Sequence, residues 1–214
     1  MPKVSVITPA FNAAGTLRRA YESLHRQTCP DWEYIIVDDG STDSTPDVVG
    51  EFLQDERVRT VRIGNSGTGA ALNAGTALAS GEFIAFLDAD DEYLPDHLES
   101  HAAVLGENPE VDLLWGGTEV VAENPEDAYV PDIVKGHGVI HASECVVQGT
   151  LFGRRYVFQA VQYSEDRSIW WQDYEFYVRA SAQFGAQRFL RPTYRYYRNS
   201  GSSTIDRVKA RWAG

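Results

Sequence analysis

The chain has 214 residues with 31 acidic against 19 basic side chains, a formal net charge of −12; attraction to nucleic acid or to an anionic membrane surface needs clustered Lys and Arg, so neither is expected as a general partner. Apolar residues at 43% and aromatics at 12% are spread along the chain without low-complexity tracts, which excludes a disordered chain and supplies the core of a single globular unit. Two cysteines without a CxxC pair, and a Met1-Pro2-Lys3 start leading straight into a strand-like run, predict a cytoplasmic setting, and no stretch approaches the roughly 20 consecutive apolar residues of a membrane span, so any membrane contact would be peripheral.

Residues 3–91 alternate short apolar runs with amphipathic ones, the pattern of a mostly parallel sheet covered by helices. A first strand over residues 4–7 is stopped by Pro9, and from Asn12 onward Leu17, Tyr21 and Leu24 recur at helical spacing up to Thr28-Cys29-Pro30. A second strand, 33–37, ends at Asp38-Asp39-Gly40. Thr45 then reads as an N-cap with Pro46 at the first helical position, and Val48, Val49, Phe52 and Leu53 form the buried face. A third strand spans 58–63. Past the glycine-bearing segment 65–69, Ala71, Leu72, Ala74 and Leu78 predict a helix closed by Ser80-Gly81. A fourth strand, 83–87, runs into Asp88-Ala89-Asp90-Asp91. Beyond it the sequence predicts a helix over 95–105, a strand over 111–115, an irregular stretch over 122–148, a helix over 173–184 and an edge strand over 189–197.

Ligands gather at the carboxyl ends of strands in open parallel sheets, and two predicted strands end in acidic clusters. In Asp88-Ala89-Asp90, strand alternation would set both carboxylates on one side, about 6–7 Å apart. Such a pair suits a hard divalent cation that completes its shell with water and diphosphate oxygens; loop solvation or helix capping is the blander reading. In Asp38-Asp39-Gly40-Ser41, turn and capping roles account for one acid. The other is left to accept from a pyrimidine N3–H, with Pro9-Ala10-Phe11 as a wall for the base.

The segments VSVITPAFN (4–12), YIIVDDGSTDST (34–45), 65–75 and GEFIAFLDADDEYLPDHL (81–98) together resemble glycosyltransferase family 2 in order and spacing, strongly over residues 3–100 and loosely beyond. The resemblance implies an α/β GT-A fold, with a mostly parallel central sheet and helices on both faces. It implies one domain over 1–214, residues 1–91 binding a nucleotide-sugar donor and 92–214 an acceptor, and an inverting transfer assisted by a divalent cation, Mn²⁺ or Mg²⁺. UDP- or dTDP-sugars are the favoured donors. By the same resemblance Asp39 contacts the base, Pro9 and Phe11 flank the nucleoside, Asn65 belongs to the nucleotide site, Asp88 sits near the ribose and metal, and Asp90 approaches the metal. The family's late acidic motif matches Gln172-Asp173-Tyr174-Glu175, followed by Arg179, and makes Asp173 the base that takes the acceptor's hydroxyl proton; capping of its own helix is the alternative for Asp173.

Three positions depart from that pattern. Gln172 replaces the first of two adjacent acids, Leu72 stands where many relatives carry an arginine, and the tail 197–202 lacks a histidine that often completes the metal site. His97/His101 and His137/His141 are spaced as ligands on a helix face, but with no third ligand evident they read as surface histidines. Trp170-Trp171 suit a sugar face, with one of the two expected in the core. Arg188, Arg191, Arg195, Arg198, Arg207 and Arg211 read as a solvated basic face, and 209–212 carries no weight as a polymerase motif. A sugar nucleotidyltransferase would want a glycine-rich loop where Pro9-Ala10-Phe11-Asn12 stands; a catalytically silent nucleotide- or sugar-binding module is the remaining alternative. The acceptor is not legible, though 122–148 is expected to help form its site.

Overall fold

The computed structural model describes residues 2–198. From the amino end the chain forms β1 (Val4–Ala10), α1 (Leu17–His25), β2 (Trp32–Asp38), α2 (Thr45–Phe52), β3 (Val58–Arg62), α3 (Thr68–Leu78) and β4 (Phe83–Phe86). It continues through β5 (Glu92–Tyr93), α4 (His97–Glu107), β6 (Leu113–Trp115), β7 (Thr118–Ala122), the hairpin of β8 (Tyr129–Pro131) and β9 (Val139–His141), β10 (Phe152–Arg154), α5 (Arg155–Ala160), α6 (Gln172–Ser181), β11 (Ala186–Arg188) and β12 (Tyr194–Arg198).

Seven strands form the central sheet in the order β11-β6-β10-β4-β1-β2-β3. All neighbours are parallel except at β10, which runs against both β4 and β6. A second sheet, β5-β12-β7, brings the chain's last described strand to the segment that follows β4. Alternation along the strands feeds two apolar layers. Trp32, Tyr34 and Ile36, with Phe83 and Ala85, pack on Leu17 and Leu24 of α1, Phe52 of α2 and Leu98 and Leu105 of α4. Ile35 and Val37, with Ile84 and Phe86, pack on Leu72 of α3, Phe158 of α5 and Phe176 of α6. A parallel sheet covered on both faces explains why its strands read as nearly continuous apolar runs, and each such large side chain, once fully buried, contributes about 1.5–3 kcal/mol. Packing of α3 on the sheet is close at Gly75, where a Cβ would lie 2.4 Å from Ile7 Cγ2.

Pro9 does not stop β1. Ile7 O accepts from Leu87 N–H and Ala10 O from Asp39 N–H, so main-chain groups alternate between β4 and β2, and those of Pro9 fall on the β4 side after β4 has ended. The missing N–H therefore costs no ladder bond. The helix expected from Asn12 begins only at Leu17, because Asn12 takes a left-handed backbone (φ 51°) and ties the loop instead. The expected edge strand over 189–197 is also corrected. Three residues, β11, edge the large sheet, while β12 is the middle strand of the small one. β5, β7, β10 and α5 were not foreseen; at two to six residues they are too short to show a period.

His97 and His101 are not surface residues. The buried face of α4 runs through His97, Leu98, His101, Ala102 and Leu105, and both imidazoles are 0% exposed. His97 stacks on Tyr93 with ring centroids 3.8 Å apart and His101 on Phe189 at 4.1 Å. The described arginines of the expected basic face are likewise engaged: Arg188 pairs with Glu144, Arg191 with Asp96, Arg195 with Glu92 and Glu119, and Arg198 donates to Asp127 O. Arg207, Arg211, the 209–212 segment and the tail from 199 onward lie outside the described residues. Trp170 and Trp171 are both half-buried and meet edge to face, so neither is a core residue.

Candidate active site at the carboxyl edge of the sheet

Strand order reverses between β1 and β4, and the loops that follow β1 to β4 open on the same edge. Asp38 and Asp39 divide their roles there. Asp38 closes the turn: Oδ1 accepts from Ser41 N–H at 2.8 Å and Oδ2 pairs with Arg62 at 2.5 Å. Asp39 is buried and accepts from Ser66 N–H at 2.7 Å and from Gly67 N–H at 2.8 Å, one bond to each oxygen, so each oxygen keeps a second lone pair. Asn12 Oδ1 accepts from the N–H groups of Thr42 and Asp43, locking the loop after β1 onto the loop after β2. On that locked loop Pro9 is half-buried and Phe11 is 48% exposed, an apolar face presented to solvent. Asn65, in the loop after β3, is exposed, with its backbone oxygen and Oδ1 accepting from Arg167 at 3.3 and 3.2 Å.

The acidic segment after β4 is a turn, closed by Asp91 N–H to Asp88 O at 3.1 Å. β4 ends at Phe86, so the strand alternation expected to align Asp88 with Asp90 does not reach them. Tyr194 of β12 donates its hydroxyl to Asp91 at 2.5 Å and lies 3.4 Å from Asp88 Oδ2, and Tyr197 N–H donates to the other Asp91 oxygen at 2.8 Å. A Cβ on Gly149 would meet the Tyr194 ring at 2.0 Å, so glycine at 149 is what lets this tyrosine reach the turn. From the other side Arg19 of α1 donates to Asp90 O and stacks 3.7 Å over the Tyr197 ring.

Asp173 lies in the first turn of α6, half-buried, with Oδ1 accepting from Tyr174 N–H at 2.8 Å. Burial pushes its pKa up to about 6 against the backbone N–H groups of Tyr174, Asp173 and Gln148. Burial also pushes Asp88 up to about 7, and repulsion from Asp90 and then Asp173 adds to it. Asp91 stands well above the carboxylate range for the same first reason, with Asp88 and Asp90 repelling it. Asp90 keeps solvent contact, yet the surrounding protein raises it against the pull of Arg19. The structure therefore brings Asp88, Asp90 and Asp173 into one electrostatic neighbourhood, and places Pro9, Phe11, Asp39 and Asn65 on the adjoining strand ends.

Crowded carboxylates with raised pKa values are short of positive charge, and their oxygens fit a hard divalent cation. Among the described residues no group of three or more His, Cys, Asp or Glu forms a ready-made cage. The fit is thus to a cation that would take one or two carboxylates from the protein, those of Asp90 and Asp88, and the rest of its shell from water or a ligand's oxygens.

Sequence reasoning missed Asp91, Tyr194, Arg19 and Arg167 as parts of this site. Asp91 was visible in the acidic run but had no assigned task. The others join it only through folding, from α1, from β12 and from the segment before α6, and no local pattern marks them. Leu72, by contrast, is fully buried in the core and has no access to a ligand.

A family model described as glycosyl transferase family 2 matches residues 5–135. Among curated proteins, the PGL/p-HBAD biosynthesis glycosyltransferase of Mycobacterium bovis (strain BCG / Pasteur 1173P2) is 41% identical over 118 residues, covering 54% of this chain and 46% of that protein. The chain spans less than half the length of the curated relatives it matches. Among solved structures, S. aureus TarS 1-349 in complex with UDP-GlcNAc superposes with a TM-score of 0.76 at 21% identity, covering 95% of this chain and 60% of that one. Mannosyltransferase PcManGT from Pyrobaculum calidifontis in complex with GDP-Man and Mn²⁺ gives 0.71 at 19%, covering 91% and 56%. No helix among the described residues is long and apolar enough to cross a membrane.

Proposed function

The chain belongs to glycosyl transferase family 2 and has the GT-A fold, and from that premise we propose that it moves a sugar from a nucleotide-diphosphate sugar, UDP- or dTDP-linked, to an acceptor hydroxyl in one inverting displacement. The observation that carries this reading is the convergence of Asp88 and Asp90 from the turn after β4 with Asp173 from α6, each held at a raised pKa. Asp39 accepts from the base N3–H through a spare lone pair, and Pro9 and Phe11 flank the nucleoside with Asn65 at its rim. Asp88 lies by the ribose and Asp90 would hold the cation. A bound Mn²⁺ or Mg²⁺ would offset charge on the departing diphosphate. Asp173, ionised above about pH 6, takes the proton of the attacking hydroxyl.

Residues 1–91 supply the donor side in this reading, and 92–214 the acceptor side. Support for the second half comes from Cys145 and Asp132. Burial raises the Cys145 thiol to about 11, and the charges of Asp173 and Asp132 add to it, so the stretch 122–148 comes close to the proposed base. The acceptor class proposed is a saccharide, a lipid-linked saccharide or another hydroxyl compound in polysaccharide assembly, reached from the cytoplasm.

Release of nucleotide diphosphate from a panel of nucleotide sugars, with Mn²⁺ or Mg²⁺, tests the proposal beside Asp90→Ala and Asp173→Asn. Consumption of one donor by the wild type, abolished by chelation and by either substitution, is expected. Binding of UDP without turnover by any acceptor-supplemented sample would favour the silent module, and absence of nucleotide binding would sink the reading.

A further inference from the structure

Between α5 and α6 the chain crosses the amino end of α3, fastened by polar contacts. Asn73 of α3 accepts Tyr163 N–H on Oδ1 at 2.9 Å and donates from Nδ2 to Tyr163 O at 3.0 Å and to Glu165 at 3.2 Å. Ser164 O comes so close to α3 that a Cβ on Gly69 would lie 2.1 Å from it. Arg167 reaches Asn65, and its Cγ lies 3.3 Å from where a Cβ of Gly67 would stand. At the far end Gln172 Nε2 donates to Ser164 O at 3.1 Å and lies 3.5 Å from Asp166 O.

Those last partners are carbonyl oxygens, which only accept. The residue before Asp173 must therefore be a donor, and a carboxylate at 172 would set negative charge against two acceptors. The departure of Gln172 from the acidic motif is explained by this contact. The loop 65–67 is fastened at two points: Asp39, just after β2, holds Ser66 and Gly67 by their N–H groups, and Arg167 holds Asn65. From Arg167 to Gln172 is five residues of chain, and the next residue is Asp173.

We propose that residues 163–172 form a strap that couples occupancy of the 65–67 loop to the placement of Asp173, with Arg167 and Gln172 as its positioning residues. The proposal rests on the reading above that a nucleotide sits against Asp39 and Asn65. A nucleotide there restrains the loop; Arg167 passes the restraint to the strap, and Gln172 fixes the first turn of α6. Catalytic geometry is sensitive to such restraint, since a misplacement of about 1 Å can cost on the order of a hundredfold in rate.

Hydrogen exchange with and without saturating UDP and Mg²⁺ tests the coupling on the wild type, Gln172→Met and Arg167→Ala. In the wild type, added protection is expected both at 65–67 and at 163–175; in both variants the gain at 163–175 is lost while that at 65–67 persists. Donor hydrolysis supplies the kinetic arm. Gln172→Met should lower kcat by about tenfold or more with KM for the donor within about threefold, the split expected of a misplaced base rather than of lost donor binding. Arg167, exposed to solvent, can be replaced without opening the core. If UDP protects 65–67 but leaves 163–175 unchanged in the wild type, or if Gln172→Met turns donor over at the wild-type rate, the strap falls and the nucleotide reading stands. If UDP protects neither segment, the nucleotide reading falls and the coupling with it.

Discussion

Replacing His101 by asparagine isolates a pH dependence that the fold builds into its own core. His101 Nδ1 lies 2.8 Å from the His97 carbonyl, an acceptor only, so Nδ1 carries the hydrogen and the buried Nε2 is a bare lone pair without a partner among the described residues. Burial lowers the His101 pKa to about 4, and that of His97 falls well below its ordinary value by burial and by repulsion from His101. Unfolded, an imidazole takes its proton near pH 6.5. Stability held by the neutral ring is thus fully present above about 6.5 and is lost as pH falls toward 4, with a slope approaching 1.4 kcal/mol per pH unit. Between pH 7 and pH 5 that amounts to about 2 kcal/mol from His101 alone, or roughly 4–8 °C in Tm for a chain of this size. Asparagine keeps an N–H for the His97 carbonyl and cannot protonate. Its loss of ring contact with Phe152 and Phe189 lowers stability at every pH, so the readout is the change with pH rather than the offset. Urea unfolding of wild type and His101→Asn at pH 7, 6 and 5, followed by tryptophan fluorescence, should show the gap between them closing by about 2 kcal/mol. Parallel stability curves would refute the assignment of a buried neutral His101.

Asp88 has the opposite sign: its raised pKa, about 7, means that the protonated form is favoured in the fold and that stability is lost as pH rises through 7. Asp88→Asn is therefore expected to stabilise metal-free protein at pH 8 by on the order of 2 kcal/mol, an advantage that fades below pH 5 in thermal unfolding, while donor turnover is lost. Gly149→Ala drives a Cβ into the Tyr194 ring and should cost about 1–3 kcal/mol, with turnover falling further than unfolding explains, because Tyr194 holds Asp91; equal turnover per folded molecule would count against Tyr194. With Asp173 as base, kcat for donor turnover should fall with unit slope as pH drops through about 6, and a flat profile down to pH 4.5 would remove Asp173 from that role.

Most of the first four strands and of the acidic segments beyond them was legible because the signals are local. Strands β1, β2 and β4 are buried on both faces and announce themselves as apolar runs, and Asp38-Asp39-Gly40 and Asp88-Ala89-Asp90-Asp91 follow β2 and β4. The rest depends on contacts that sequence spacing does not encode. His97 and His101 have the i, i+4 spacing of surface ligands, and only the packing of α4 on Tyr93, Phe152 and Phe189 turns them into neutral core rings. Tyr194 reaches Asp91 because β12 inserts between β5 and β7, a pairing across the chain that no period reports. Gln172 looked like a defect in an acidic motif until Ser164 O supplied its reason.

The acids of this edge and the chain's overall charge bear on each other. An acidic protein offers a diphosphate no general attraction, and the arginines nearest the edge are engaged: Arg62 by Asp38 and Ser41 O, Arg19 by Asp90 O and the Tyr197 ring, Arg167 by Asn65. Adding an anion beside Asp88, Asp90 and Asp91 would deepen a repulsion that already lifts their pKa values. A divalent cation held at the turn would resolve both at once, since it would offset carboxylate and phosphate charge in the same place. Cation and nucleotide should accordingly bind with positive coupling, each raising the affinity of the other by the same factor, and the acidic turn that is costly alone becomes favourable only when both are present.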